Sequence, residues 1–151
     1  MNHLLRSLIV VLALLSANLL QAQDVTYSQY DKYDFHSGDY AVVGMTGGLL
    51  YTYLNTSDGA RLDAYDDSMN KVATVLLDFF PDKIYETRFI SYPDKIIVLY
   101  QALESNKVVQ YAALLDEKGR LKNKPVELGS SKTGIFGATK TYYSSAISDN
   151  K

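Results

Sequence analysis

An all-β fold made of four-stranded antiparallel meanders is predicted by three features of this sequence. Its apolar segments are short, they are rich in Val, Ile, Leu and Tyr, and each is closed by Gly, Pro, Asn or Asp. Within Ala60–Tyr65, Ala60, Leu62 and Ala64 alternate with Arg61, Asp63 and Tyr65. That period of two marks a strand with one wet face.

The chain opens on a targeting pattern. Met1–Ser7 is short and carries Arg6, Leu8–Leu15 is unbroken and apolar, and the stretch ends at the small residue Ala22. These regions make residues 1–22 a secretory signal peptide, with cleavage expected after Ala22. An uncleaved anchor fits less well, because the apolar run is shorter than the roughly 20 residues that cross a bilayer. No later stretch is apolar for long enough to span a membrane. Residues 23–38 read as a polar aromatic arm, with Tyr27, Tyr30, Tyr33 and Phe35 among Asp, Ser and Gln.

The strands follow in order. Tyr40–Met45 runs into Gly47-Gly48, Leu49–Leu54 into Asn55–Gly59, and Ala60–Tyr65 into Asp66–Asn70. Val72–Phe80 runs into Pro81-Asp82. Met69, just before it, Val72, Val75 or Leu76, and Phe79 or Phe80 share helical spacing, but its β-branched residues favour a strand. Tyr85–Tyr92 then runs into Pro93-Asp94, Ile96–Leu103 into Glu104–Asn106, and Lys107–Leu115 into Asp116–Gly119. Arg120–Leu128 is the last clear segment, and Ser130–Lys140 reads as a loop.

The two halves of this series match. Tyr53 falls on Tyr100, Val42 on Phe89 and Gly44 on Ser91, a constant offset of 47 residues. After a slip, Asp67–Val72 falls on Asp116–Leu121, so that Asp opens both turns and Asn70 or Gly119 stands where a left-handed backbone is tolerated. Residues 39–82 and 83–131 therefore read as two meander repeats. Ala146–Lys151 begins the phrase of Phe89–Lys95 again, so 132–151 reads as the start of a truncated third repeat.

A repeat of this length with four strands per unit resembles the blades of exported β-propeller-type repeat proteins. The resemblance covers about residues 39–151 and lacks a Trp-Asp dipeptide, since the chain has no tryptophan. It implies a ring of at least about four blades. Two blades and part of another are expected here, which makes the chain an N-terminal fragment. The alternative is a small closed β-barrel of lipocalin-like kind, which the chain length suits.

Composition narrows function by exclusion. There is no cysteine, which removes disulfides, a lipid anchor on an N-terminal cysteine, thiolate metal sites and thiol catalysis. Formal charge is −2 with acids and lysines interspersed. There is no basic stripe, so no nucleic-acid partner is expected. An exported, cysteine-free, tyrosine-rich chain fits a bacterial envelope, with a periplasmic, cell-surface or secreted location expected.

The short motifs carry no enzyme. Ser68-Met69-Asn70-Lys71, Lys132-Thr133-Gly134 and Ser148-Asp149-Asn150 match pieces of the serine β-lactamase pattern. Their order departs from it, and the first lies in a turn rather than on a helix. Gly129–Gly134 resembles a phosphate loop with Ile135 where the lysine belongs. His36, with Asp34 nearby, has no nucleophile beside it. Asp63, Asp66 and Asp67 lack the calcium-loop pattern and read as solvated turn carboxylates. Asn55-Thr56-Ser57 is a formal glycosylation acceptor.

No catalytic, metal or cofactor residue is therefore assigned, and any ligand-binding residues are unassigned. The expected function is an exported non-catalytic repeat protein that binds or scaffolds a protein or carbohydrate partner. The alternatives are a barrel holding an apolar ligand and a fragment of a propeller enzyme. Self-association through open sheet edges is also expected. Thirteen tyrosines are the one compositional excess, and packing on pleated surfaces is their default role.

Overall fold

The computed structural model describes residues 25–29 and 38–132. Eight strands follow one another: β1 (Asp39–Thr46), β2 (Leu49–Thr56), β3 (Gly59–Tyr65), β4 (Lys71–Leu76), β5 (Ile84–Tyr92), β6 (Lys95–Glu104), β7 (Lys107–Asp116) and β8 (Val126–Lys132). They form two antiparallel sheets, β1-β2-β3-β4 and β5-β6-β7-β8. The fold is all-β, and no described residue lies in a helix.

The small closed barrel is not what forms. Closure needs a hydrogen-bonded ladder from β4 into β5, and the sheets divide there. The reason lies in Leu77–Lys83. The Leu77 amide still donates to the Ala60 carbonyl at 2.9 Å, and the Phe80 amide then donates to the Leu77 carbonyl at 3.1 Å, so the chain turns out of the first sheet after Leu77. Pro81 has no amide to continue a ladder. The expected strand Val72–Phe80 therefore stops at Leu76. Phe80 instead bridges the sheets, with its ring centroid 6.3 Å from Tyr53 and 4.9 Å from Tyr100.

The core lies between the sheets. Period-two alternation sends Tyr51 and Tyr53 of β2 and Leu62 and Ala64 of β3 to one side. They meet Ile96, Val98 and Tyr100 of β6 with Ala113 and Leu115 of β7. Burying each larger side chain contributes about 1.5–3 kcal/mol. Among the strands, β1 and β5 make the closest approach between the sheets. A Cβ on Gly44 would collide with Ser91 Oγ, so the glycine permits that approach. At the turn ends, the Gly47 amide donates to the Pro93 carbonyl at 2.8 Å and the Tyr51 hydroxyl to the Glu117 carbonyl at 3.0 Å.

The two sheets share their turns. Gly47-Gly48 and Pro93-Asp94 each join the first two strands of a sheet, and Ser57-Asp58 and Ser105-Asn106 each join the next two. The last turns share a hydrogen-bond pattern. Met69 N donates to Asp66 O at 2.9 Å and Gly119 N to Asp116 O at 3.0 Å. Asp66 Oδ1 accepts from Ser68 N and Asn70 N, and Asp116 Oδ1 accepts from Lys118 N and Arg120 N.

These pairings correct the expected matching by one residue. Asp66, not Asp67, stands where Asp116 stands, and Met69 (φ 60) rather than Asn70 takes the left-handed place of Gly119 (φ 74). On the ladders Leu50 pairs with Tyr65 and Ile96 with Leu115, so Leu50 occupies the place of Ile96 and Leu54 that of Tyr100. Tyr53 and Tyr100 are not equivalent. They face each other across the core. A bulge between Val42 and Gly44 causes the slip, so Val42 does match Phe89 while Gly44 instead lies against Ser91. The last segment also moves. Leu121 forms only an isolated bridge to Leu115, and the final strand extends to Lys132 rather than ending at Leu128.

Candidate functional site

The residues of the enzyme-like motifs do not converge. Ser68, Met69 and Asn70 form the β3–β4 turn, and Lys71 is the first residue of β4. Ser68 is held there by its own amide, which donates to Asp66 Oδ1 at 2.9 Å. Lys132 ends β8. Thr133, Gly134, Ser148–Asn150, His36 and Asp34 lie outside the described residues. Asn55, the penultimate residue of β2, pairs with Asp39 and Ala60, inside a ladder rather than on an extended loop.

The three aspartates separate by role. Asp66 caps its turn, and the Asn70 backbone amide, then the Asn70 side-chain amide, hold its carboxyl below the usual value. Asp67 is exposed in the same turn. Asp63 is on β3, only 3% exposed. It accepts from the Thr74 hydroxyl at 2.6 Å and from Arg61 Nε at 3.2 Å, with Lys71 Nζ at 4.0 Å. Among the described residues no group of three His, Cys, Asp or Glu is placed to hold a metal.

A candidate surface does emerge, and it is a sheet face rather than a motif. Ladder pairing puts Tyr40, Leu54, Arg61 and Leu76 in one row on the side of β1–β4 that faces away from β5–β8. Val42, Thr52, Asp63 and Thr74 form the next row, and Met45, Leu50, Tyr65 and Lys71 the third. Tyr40, Val42, Met45 and Leu76 are 56%, 65%, 52% and 66% exposed. A strand with one solvated face should carry polar residues there. β1 instead presents Tyr40, Val42 and Met45 outward and Ala41 and Val43 toward the core side, as a strand covered on both sides does. The polar residues at the centre of this face, Asp63, Arg61 and Thr74, already bond one another, so covering them strands no carboxylate.

A second feature is a cleft of about 670 Å³ between the β2–β3 turn and the β4–β5 connection, lined by Asn55–Ala60, Leu76–Asp78 and Phe80–Tyr85. It holds Asp58, Asp78, Asp82 and Lys83 with Tyr85 but no nucleophile paired with a base.

Several tyrosines are structural. Burial raises the Tyr51 and Tyr53 hydroxyls, with the charges of Asp116 and Glu117 adding to the first. Burial pushes Tyr100 up to about 12. Tyr111 also rises to about 12, chiefly through its 2.5 Å hydrogen bond to Glu104.

The outward face was not found in the sequence. The signal was present in Tyr40, Val42 and Met45, but the bulge at Val43 breaks the period that would have revealed it. Comparison with protein-family models, curated proteins and solved structures finds no match to this chain.

Proposed function

We propose that this chain is an exported, non-catalytic β-repeat module that binds or scaffolds a partner, built from propeller-type units at about 39–82 and 83–131. One observation carries the reading: the exposed apolar face of β1–β4, on which Tyr40, Val42, Met45 and Leu76 stand clear of the core. Large apolar side chains exposed on both edge strands of one sheet face, Tyr40, Val42 and Met45 on β1 and Leu76 on β4, support an interaction site there. The blade reading is supported by two sheets of identical strand order stacked face to face, with their first strands nearest each other. Export rests on the leader at residues 1–22.

Oxidative footprinting of the cell's exported fraction tests both parts. Met45 and Tyr40 should be protected there and reactive in the dilute purified chain, and the mature chain should begin at Gln23. Equal reactivity in both settings would remove the partner-binding reading, and an intact Met1 would remove export.

A further inference from the structure

We infer that the outward face of β1–β4 docks the outward face of β5–β8 of a second copy of this chain, head to tail. The inference rests on the repeat reading and adds the identity of the partner.

The molecule itself shows what covers such a face. The two sheets pack with the Tyr51 side of β1–β4 against the Ile96 side of β5–β8. By ladder position, the outward residues Leu50, Leu54 and Tyr65 of the first sheet correspond to Ile96, Tyr100 and Leu115 of the second. Those three lie in the core at 0%, 3% and 0% exposure. Leu50 and Tyr65 are half-buried and Leu54 is 7% exposed. The first sheet's outward side thus has the residue types that the second sheet buries, with its open apolar surface at Tyr40, Val42, Met45 and Leu76.

The covering surface is also duplicated. Tyr51, Tyr53, Leu62 and Ala64 of the first sheet do the covering. Their ladder equivalents in the second sheet are Ile97, Leu99, Ala112 and Leu114. All four are apolar, half-buried, and on the side turned away from the first sheet. The size order is exchanged at two of the positions, Leu62 for Ala112 and Ala64 for Leu114, so the pair keeps a similar volume. The carboxylate flanking this patch is already paired: Glu86 accepts from Arg88 Nε and from Gln101 Nε2, both at 2.7 Å.

Both halves of one interface thus sit on one chain, on different surfaces. Such an interface is heterologous: it joins copies head to tail, and closes into a ring where the rotation permits. An isologous dimer of the first sheet alone would not use the Leu99 surface at all.

Sedimentation equilibrium of the chain recovered after export, together with the variants Val42→Lys and Leu99→Lys, tests the inference. Wild type should associate with rising concentration, and each variant should associate at least about tenfold more weakly. Mixing the two variants should restore a dimer and nothing larger, because each supplies the face the other lacks. Circular dichroism and urea unfolding establish that each variant is folded. If Leu99→Lys fails to fold, the wild-type concentration series still decides. A wild-type monomer throughout overturns the head-to-tail dock while leaving Met45 protection in the exported fraction to judge the broader reading. Association lost in Val42→Lys but unchanged in Leu99→Lys also overturns it, in favour of an isologous dimer. Association retained by both variants overturns it in favour of edge pairing.

Discussion

The two sheets are alike in order, direction and turns, and differ in what covers them. Ile96 and Leu115 of the second sheet are fully buried, whereas Leu50 and Tyr65, in the same ladder positions of the first, are only half-buried. Val42 is 65% exposed, while Phe89, in its place, packs against the core with its ring centroid 4.8 Å from Tyr53. Apolar residues on a sheet face therefore do not report a core by themselves. What decides is whether a second layer arrives, and Gly44 and the Phe79-Phe80 connection bring one to a single side of β1–β4.

Gly44 offers the sharpest way to break that arrangement. Its φ is 123°, a backbone that side chains rarely adopt, and a Cβ would collide with Ser91 Oγ and lie 3.1 Å from Ser91 Cβ. Gly44→Ala should cost about 3 kcal/mol through strain and the clash together. Adding Ser91→Gly should recover the clash and leave about 1 kcal/mol of strain. Urea unfolding of the two variants measures this. A single substitution that unfolds like wild type would show that β1 and β5 do not approach as described.

The paired turns give a smaller contrast. Met69 and Gly119 both hold a left-handed backbone, but a Cβ on Gly119 would lie 3.3 Å from Tyr51 Cε1 and 3.5 Å from Leu62 Cδ1. Gly119 therefore sits against the first sheet, and Gly119→Met should destabilise by about 2 kcal/mol. The reverse change, Met69→Gly, relieves strain and should stabilise by about 0.5 kcal/mol once the greater freedom of the unfolded chain is subtracted. Losses of equal size at both turns would mean that Gly119 has no role between the sheets.

These contrasts also mark how far the sequence could be read. Gly47-Gly48, Pro93-Asp94 and Asp116–Gly119 located the turns because each supplies a backbone angle or a cap that few residues can supply. Strand identity followed from the segments between them. Register did not follow, because one bulged residue at Val43 and strands two residues longer in β6 than in β2 shift the matching without changing composition. A one-residue slip exchanges the two faces of a strand, so Tyr53 and Tyr100 looked equivalent when they oppose each other. Phe79 and Phe80 read as the end of a strand because their apolar character is a core signal, and nothing local says which layer they fill. The outward face needed all four strands in register before it existed as a surface.

The smallest effect separates Asp66 from the chain around it. The sequence matches Asp67 with Asp116, whereas the turn is capped by Asp66, and acid unfolding tests that assignment. Hydrogen bonds from Asn70 and Ser68 lower the Asp66 pKa below its usual 3.8. A carboxyl whose folded value is depressed contributes stability above the unfolded value and loses it as pH falls toward the folded value. Wild-type stability should therefore decline as the pH drops below about 4. Asp66→Asn keeps an acceptor oxygen for the Ser68 and Asn70 amides but cannot ionise, so the turn should survive while that part of the acid decline disappears. Asp67→Asn should leave the turn's hydrogen bonds in place, since Asp67 makes none of them. Urea midpoints followed through the acid range decide between them. A decline removed by the change at 67 rather than at 66 would move the cap by one residue and restore the matching that the strand ladders reject.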